Sequence, residues 1–462
     1  MDTVSELAEA LWTGKTDTYK YHPFSPPFGM EKVAEDTWFY KGFSNSIFRN
    51  TPEGMIVIDT GTWWESGTRF VAAREKLTSR LDTAVFTHGH TDHVFGMNHY
   101  IEEAKEKNWQ PPKAVAHEAM PARFRRYCET LGWNSAINNR QFLGGSGPGA
   151  WPENYHFPEI TYADRLELVV GGVRCLLRHS KGETDDHTWV FFPDTRVLCT
   201  GDLFIWAVPN AGNPQKVQRF CKEWAQGLRE MAALNPEVLC PGHGVHIIGQ
   251  QRVKQALEDT ARFLESIFEQ TMALMNEGAS LNTILNNINV PQDLIKRPYL
   301  QPVYDEPEFI VRNIWRRYGG WHDGTPSHLK PASDKSLGTE IAQLAGGAHK
   351  LAARAEELSK EGDHRLAWAG GAHKLAARAE ELSKEGDHRL ACHLVDWAFK
   401  AAPDDDRVKA AVNNVYTARA QAESSTMAMG IFLSAARESG VDPEAEAGFV
   451  FDLQDKRGRD EN

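Results

Sequence analysis

The chain has 462 residues, 41% of them hydrophobic and 25% charged, with a formal net charge of −12. These are the proportions of a folded globular protein of two or three domains, which excludes a disordered or fibrous chain. The acidic balance excludes broad nucleic-acid binding, which needs clustered Lys and Arg, and no apolar run approaches the ~20 residues of a membrane span.

The start, Met1-Asp2-Thr3-Val4-Ser5-Glu6, lacks the basic and apolar stretches of a secretory signal, so a cytoplasmic location is the expectation. Cys128, Cys175, Cys199, Cys221, Cys240 and Cys392 show no paired spacing and are expected as buried thiols. Residues 1–30 read as a polar, proline-rich lead-in lying along the surface. From Thr37 the pattern turns to short β-rich runs: Thr37-Trp38-Phe39-Tyr40, Ser46-Ile47-Phe48-Arg49 and Met55-Ile56-Val57-Ile58-Asp59, divided by Gly42 and by Pro52-Glu53-Gly54. A helix is predicted over 65–81. Val85-Phe86-Thr87 ends a buried strand, an amphipathic helix carries Tyr100, Ala104 and Trp109, and a short strand covers 114–116. Strands alternating with helices predict an α/β domain.

Between that buried strand and helix lies His88-Gly89-His90-Thr91-Asp92-His93, three histidines and a carboxylate in six positions. On a strand-to-helix loop, His88 and His90 can converge on one cation while Asp92 and His93 turn towards a second. Imidazole with a carboxylate suits zinc, although iron and manganese accept the same donors. The bland alternative is a histidine-rich surface turn. Residues 133–160 form an irregular aromatic stretch with Trp133, Phe142, Trp151, Tyr155 and Phe157 among many glycines. It reads as a lid or substrate wall, or equally as a loop whose aromatics pack on the sheet.

Strands resume at 165–170, 173–178, 188–192 and 196–200. The remaining ligand candidates follow at strand ends: Glu183 in Gly182-Glu183-Thr184-Asp185-Asp186-His187, Asp202 in Thr200-Gly201-Asp202, and His243 in Pro241-Gly242-His243-Gly244. A glycine beside each lets backbone approach a metal closely. One such residue alone is weak evidence, but the ordered set is strong.

HxHxDH, an isolated ligand, a Gly-Asp after a strand and then a Gly-His together resemble the metallo-β-lactamase-fold hydrolases, whose fold is an αββα sandwich. Glu183 stands where most of that family has histidine, which is similar to the alkylsulfatase branch. Tyr304-Asp305-Glu306-Pro307-Glu308-Phe309, Tyr318-Gly319-Gly320-Trp321 and Gly346-Gly347-Ala348 resemble the all-α dimerisation domain of those sulfatases. The resemblance implies two divalent cations, expected to be zinc: one held by His88, His90 and Glu183, a second by Asp92, His93 and His243, with Asp202 bridging. Asp92 and Asp202 are the acids it implies in catalysis. Two cations about 3.5 to 4 Å apart can share a hydroxide and polarise an ester oxygen.

The sequence departs from the alkylsulfatase pattern in two places. Asp202 stands where those enzymes have glutamate. Of the asparagine, arginine and histidine that grip sulfate, Asn210 fits the first, while the other two positions fall on Gln215 and Phe220. Lys216 and Arg219 lie close enough to supply the charge, or are solvated residues at the start of the next helix. Only the charged tail follows Gly440 in this sequence, so a counterpart of the sterol-carrier-like domain that usually ends those enzymes is not expected.

From Gln250 an apolar stripe runs through Val253, Leu257, Ala261, Leu264, Phe268, Met272 and Met275 at helical spacing, which reads as core. Pro291, Pro298, Pro302 and Pro307 then punctuate a connector. Residues 345–367 and 369–391 are identical, giving a 24-residue tandem duplication (345–368 and 369–392). Each copy reads as a helix to Lys360 or Lys384, a Glu-Gly-Asp turn and the opening of a second helix. Two perfect copies point to a recent or engineered duplication rather than a repeat array. The second copy, continuous with Cys392-His393-Leu394, is expected in the native slot. His349, His364, His373 and His388 read as surface residues.

The expected organisation is a lead-in (1–30), a catalytic domain (31–250), helices and a connector (251–335), a helical dimerisation domain (336–440) and a charged tail (441–462). The expected function is dinuclear hydrolysis of an ester, with an alkyl sulfate carrying an apolar tail as the leading substrate, by a homodimer. Another small ester (a lactone or phosphodiester) and a non-catalytic dimeric scaffold are the alternatives, because fold and metals do not fix substrate.

Overall fold

The computed structural model describes residues 3–142, 151–324, 329–330, 332–334 and 371–439. Two β-sheets pack face to face in its first compact unit. The first sheet has the order β1 (Gly29–Ala34), β2 (Thr37–Lys41), β3 (Ser46–Thr51), β4 (Gly54–Ile58), β5 (Leu81–Val85), β6 (Lys113–His117) and β7 (Ile160–Tyr162). The second runs β13 (Ile247–Ile248), β12 (Val238–His243), β11 (Val197–Ile205), β10 (Thr188–Phe192), β9 (Val173–His179) and β8 (Arg165–Val170).

Strict alternation explains why the first sheet is covered on both sides. Ile56 and Ile58 of β4, Val85 of β5 and Val115 of β6 face the core shared with the second sheet. Met55, Val57, Ala84, Ala114 and Ala116 point the other way, onto α2 (Ser66–Lys76), α3 (Met97–Glu106) and α4 (Met120–Glu129). On the second sheet, Trp224, Leu228 and Met231 of α6 (Cys221–Ala233) and the stripe Val253, Leu257, Ala261 and Leu264 of α7 (Gln250–Asn276) close the core. The architecture is the expected αββα sandwich. The short helices α8 (Leu281–Asn287) and α9 (Gln292–Ile295), with α10 (Pro307–Gly319), add Ile284, Leu294, Ile310 and Ile314 to the same core.

Local structure differs from the sequence expectations in several places. The lead-in contains a helix, α1 (Val4–Trp12), opened by a reciprocal capping box between Thr3 and Glu6, and it buries Val4, Leu7 and Leu11 in the core. The 65–81 helix stops at Lys76, where Leu77 turns extended. The start of the aromatic stretch is helical, as α5 (Leu131–Phe142). Beyond it, Trp151 and Tyr155 pack on Tyr127 and Phe124 of α4, while residues 143–150 lie outside the described set. Four cysteines are buried as expected, but Cys128 is exposed and Cys392 only half-buried.

The second unit comprises residues 136–142 with α11 (Gly371–Glu385), α12 (His388–Ala401), α13 (Asp406–Gln421) and α14 (Thr426–Glu438). Ala391, Leu394, Val395 and Ala398 face Val408, Ala411, Val412 and Val415 across its core, spaced three and four apart. The second repeat copy forms α11 and opens α12, joined at Gly386, whose φ of +89° lies in the left-handed region. The first copy, His349 and His364, and the 441–462 tail lie outside the described residues, as does the side chain of His373. His388 is half-buried, its Nδ1 3.1 Å from Ser383 Oγ. No described helix is long and apolar enough to cross a membrane.

Candidate metal centre

All seven residues singled out as ligands meet at one end of the sandwich. They form two groups, His88, His90, Glu183 and Asp202, and Asp92, His93 and His243, whose donor atoms within each group lie within 4.8 Å of one another. Asp202 reaches both: its Oδ2 is 3.7 Å from His88 Nε2 and 3.4 Å from His243 Nε2, and its Oδ1 is 3.3 Å from His93 Nε2. Asp92 Oδ2 lies 3.2 Å from His243 Nε2 and 3.4 Å from His93 Nε2.

Three of the four imidazoles are aimed by what their other nitrogen touches, as expected of metal-ready histidines. His93 Nδ1 is 2.8 Å from Asp59 Oδ2, His243 Nδ1 donates to the Phe43 carbonyl at 2.6 Å, and His88 Nδ1 is 3.0 Å from Thr87 Oγ1. That leaves the Nε2 atoms of all three facing the centre, and His88 Nε2 comes within 2.9 Å of His90 Nδ1.

Backbone close approach is specific at two glycines. A Cβ on Gly242 would lie 2.0 Å from Asp202 Oδ1, so the bare backbone makes room for that carboxylate. The Gly89 amide, between His88 and His90, donates to Asp186 Oδ2 at 3.1 Å, and Asp186 is held by Arg123 Nε at 3.0 Å. Asp202 lies within its strand rather than after it. β11 continues to Ile205 through register shifts around Gly201, whose φ is +50°.

The electrostatics call for positive charge. Burial pulls His88 and His90 well below the usual histidine range, which keeps both neutral and able to donate a lone pair. Burial also opposes protonation of His93 and His243, but the neighbouring acids outweigh it: His93 is pushed well up, and His243 to about 9. Burial, together with the Asp202 charge, drives Glu183 well above the usual carboxylate range. His93 Nε2 and Asp202 Oδ1 are buried with no hydrogen-bond partner. A donor set of four imidazoles and three carboxylates, with orphaned atoms turned inward, fits divalent cations.

The residues expected to grip an anion are placed unevenly. Asn210 is buried and its Nδ2 donates to the Glu183 carboxylate. Arg219 is also buried, and it too is engaged with Glu183. Lys216 is half-buried, its Nζ 5.6 Å from the Trp151 ring; burial and the Arg219 charge push it down to about 7. Phe220 instead packs under the Arg317 guanidinium at 4.1 Å, and the Gln215 backbone N–H donates to Asn213 Oδ1 at 3.2 Å.

Sequence reasoning missed three contributors. Asp59 anchors the histidine loop, and its signal was the Asp-Thr-Gly that closes β4. Phe24, from the lead-in, packs its ring 4.3 Å from that of His243, with Tyr304 4.8 Å from Phe24. His187 is buried and stacked on His88 at 4.6 Å. Neither ring has a local sequence signal, since each contact joins distant segments. The aromatic surface continues outward through Phe43, Trp64 and Trp63, with ring separations of 5.4 and 4.4 Å.

Residues 40–243 match the metallo-beta-lactamase superfamily model, and 280–369 and 366–440 match the alkyl sulfatase dimerisation model. A linear primary-alkylsulfatase of Pseudomonas sp. is 26% identical over 335 residues, covering 68% of this chain and 63% of its own length. The alkyl/aryl-sulfatase BDS1 of Saccharomyces cerevisiae is 22% identical, covering 73% of this chain and 56% of its own. The chain thus spans less than two thirds of the length of these relatives. The solved structure of the sec-alkylsulfatase Pisa1 from Pseudomonas sp. superposes with a TM-score of 0.74 at 19% identity, over 90% of this chain and 66% of that one. With the sandwich matched by one family model and the helical region by the other, the chain is an alkylsulfatase-like protein of the metallo-β-lactamase fold.

Proposed function

We propose that the protein is a two-cation hydrolase of an ester, and that the ester is an alkyl sulfate. The observation that carries the reading is Asp202, within 3.7 Å of donor atoms from both groups and with a buried oxygen lacking a hydrogen-bond partner. His88, His90 and Glu183 would hold one cation and Asp92, His93 and His243 the other, with Asp202 common to both. A bound pair of divalent cations, zinc in this proposal, supplies polarisation of an ester oxygen and activation of water. Asp92 and Asp202 fix the positions of the donors around the reacting group, and low water access strengthens every charge interaction there.

Substrate recognition follows from what borders the centre. Lys216, held down to about 7, supplies positive charge in its protonated form, Asn210 offers the amide hydrogen not given to Glu183, and the ring series Phe24, Phe43, Trp64 and Trp63 takes an apolar tail. One observation favours a second reading, a different small ester: Gln215 and Phe220 stand where the resemblance expects sulfate-binding residues, and Arg219 is committed to Glu183. A homodimer joined through the helical domain and a cytoplasmic location complete the proposal.

A panel of alkyl sulfates, phosphodiesters, lactones and carboxylic esters, run with metal-replete protein, tests the substrate. Turnover of alkyl sulfates above the others supports the reading. Inert sulfates with turnover of another class would transfer the proposal to that ester, and metal-replete protein inert on all of them would leave the dimeric scaffold.

A further inference from the structure

Asp92, Glu183 and Asp202 place three carboxylates in one buried site, and they are compensated in different ways. Asp92 and Asp202 face imidazole nitrogens. Glu183 also lies 3.7 Å from His90 Nδ1 and accepts from Asn210 Nδ2, but among the three it is the carboxylate that faces a guanidinium. The Arg219 side chain is 1% exposed, its Nη2 lies 3.4 Å from Glu183 Oε1, and its Nη1 donates to the Glu183 carbonyl oxygen. Both terminal nitrogens therefore serve one residue.

Arg219 is also held from behind. Its amide donates to Asn313 Oδ1 at 2.7 Å and its carbonyl accepts from Asn313 Nδ2 at 3.1 Å, so α10 fixes the backbone that carries it. Among the described residues, Glu183 is its ion-pair partner and no other acid takes that place. Guanidinium stays protonated under all ordinary conditions, and burying it has a large desolvation cost that only a close counter-charge offsets.

We infer that Arg219 is a positioning residue that cancels the charge of Glu183, so that Glu183 offers a cation an oxygen donor without adding negative charge. The inference rests on the two-cation reading. With Glu183 ionised to hold a cation, Glu183 and Arg219 sum to zero, so His88, His90, Glu183, Asp202 and Arg219 together carry one net negative charge, from Asp202. A neutral nitrogen donor at position 183 with no arginine beside it would leave the same sum. Arg219 therefore weakens the hold of the site on its cation, and in doing so leaves the cation more electrophilic. A purely architectural role predicts the opposite sign, because removing a support weakens binding.

The sign can be read without turnover. Zinc affinity is measured on the full chain by competition with a chromophoric chelator, for wild type, Arg219→Gln, Arg219→Lys, Glu183→His and the double variant Glu183→His/Arg219→Gln. Outer-shell partners commonly change metal affinity about 10- to 100-fold, and here Arg219→Gln is expected to tighten zinc by about tenfold, the lower end of that range. The same variant should show a larger zinc-dependent rise in unfolding temperature, since the metal-free form loses its ion pair. Arg219→Lys should stay near wild type, Glu183→His alone should weaken zinc, and the double variant should return towards wild type. Weaker zinc binding in Arg219→Gln, or a double variant no better than Glu183→His, overturns the inference while leaving the two-cation reading intact. If Arg219→Gln fails to fold, the comparison of Glu183→His with the double variant still decides. Wild-type protein that takes up no zinc overturns the two-cation reading and the inference with it.

Discussion

Asp59→Ala is the substitution with the widest predicted consequences outside the candidate ligands. The carboxylate accepts the Thr87 amide at 2.7 Å, the Thr87 hydroxyl at 2.7 Å and contacts His93 Nδ1 at 2.8 Å, all in a buried setting. Alanine would strand these donors, each at a cost of ~1–3 kcal/mol when buried, so a destabilisation of at least about 3 kcal/mol is expected. That is a large share of the ~5–15 kcal/mol by which a domain is stable. Asp59 also has a φ of +58°, a region that asparagine tolerates better than alanine. Asp59→Asn should therefore keep the backbone and at least one acceptor, and lose about half as much stability. Both variants release the His93 ring from its orientation, and a loss of zinc affinity on the order of 10- to 100-fold follows. Chemical denaturation with and without zinc, beside chelator competition, reads both effects. Wild-type stability and zinc affinity in Asp59→Ala would refute the reasoning.

Three further outcomes follow from other parts of the molecule. Deleting residues 345–368 should leave ester turnover and the unfolding midpoint unchanged, because the second copy already supplies α11 and the start of α12; complete loss of activity would contradict this. Burial pushes His246 down to about 4, so the native ring stays neutral while the unfolded one protonates below its ordinary value. Its contribution to stability is present above pH ~6.5 and is lost as the pH falls towards 4. His246→Leu should therefore flatten the acid side of the stability profile, with a relative gain of about 2 kcal/mol at pH 5, and a profile parallel to wild type would count against this. Trp64→Ala should lower kcat/KM for long-chain esters about tenfold, or ~1.4 kcal/mol, while sparing short ones; equal losses on both would remove Trp64 from the tail-binding surface.

The parts of the fold that could be read in the sequence were those set by local pattern. The continuous β-rich apolar run of 55–58 gave a strand, the three-and-four stripe of 253–275 gave α7, and Glu385-Gly386-Asp387 gave the turn between α11 and α12. The ligand candidates were visible because a strand end beside a glycine concentrates donors where the backbone can approach. Features built by distant segments were not visible. Phe24 meets His243 across more than two hundred positions, and Arg219 finds Glu183 through α10, so no window of sequence contains either contact. The lead-in helix was legible in principle, since Thr3 and Glu6 form its capping box, but its proline-rich continuation obscured it. β11 ran past its expected end because the bulge at Gly201 bends the strand without ending it, which carries Asp202 to the centre.

The central claim is that two cations share this site with Asp202 between them. A crystal of the protein grown with zinc, with anomalous differences collected at the zinc edge, addresses it directly. Two peaks about 3.5 to 4 Å apart, one beside His88, His90 and Glu183 and one beside Asp92, His93 and His243, with Asp202 touching both, are the predicted result. A single peak, or zinc bound away from Asp202, would contradict the account.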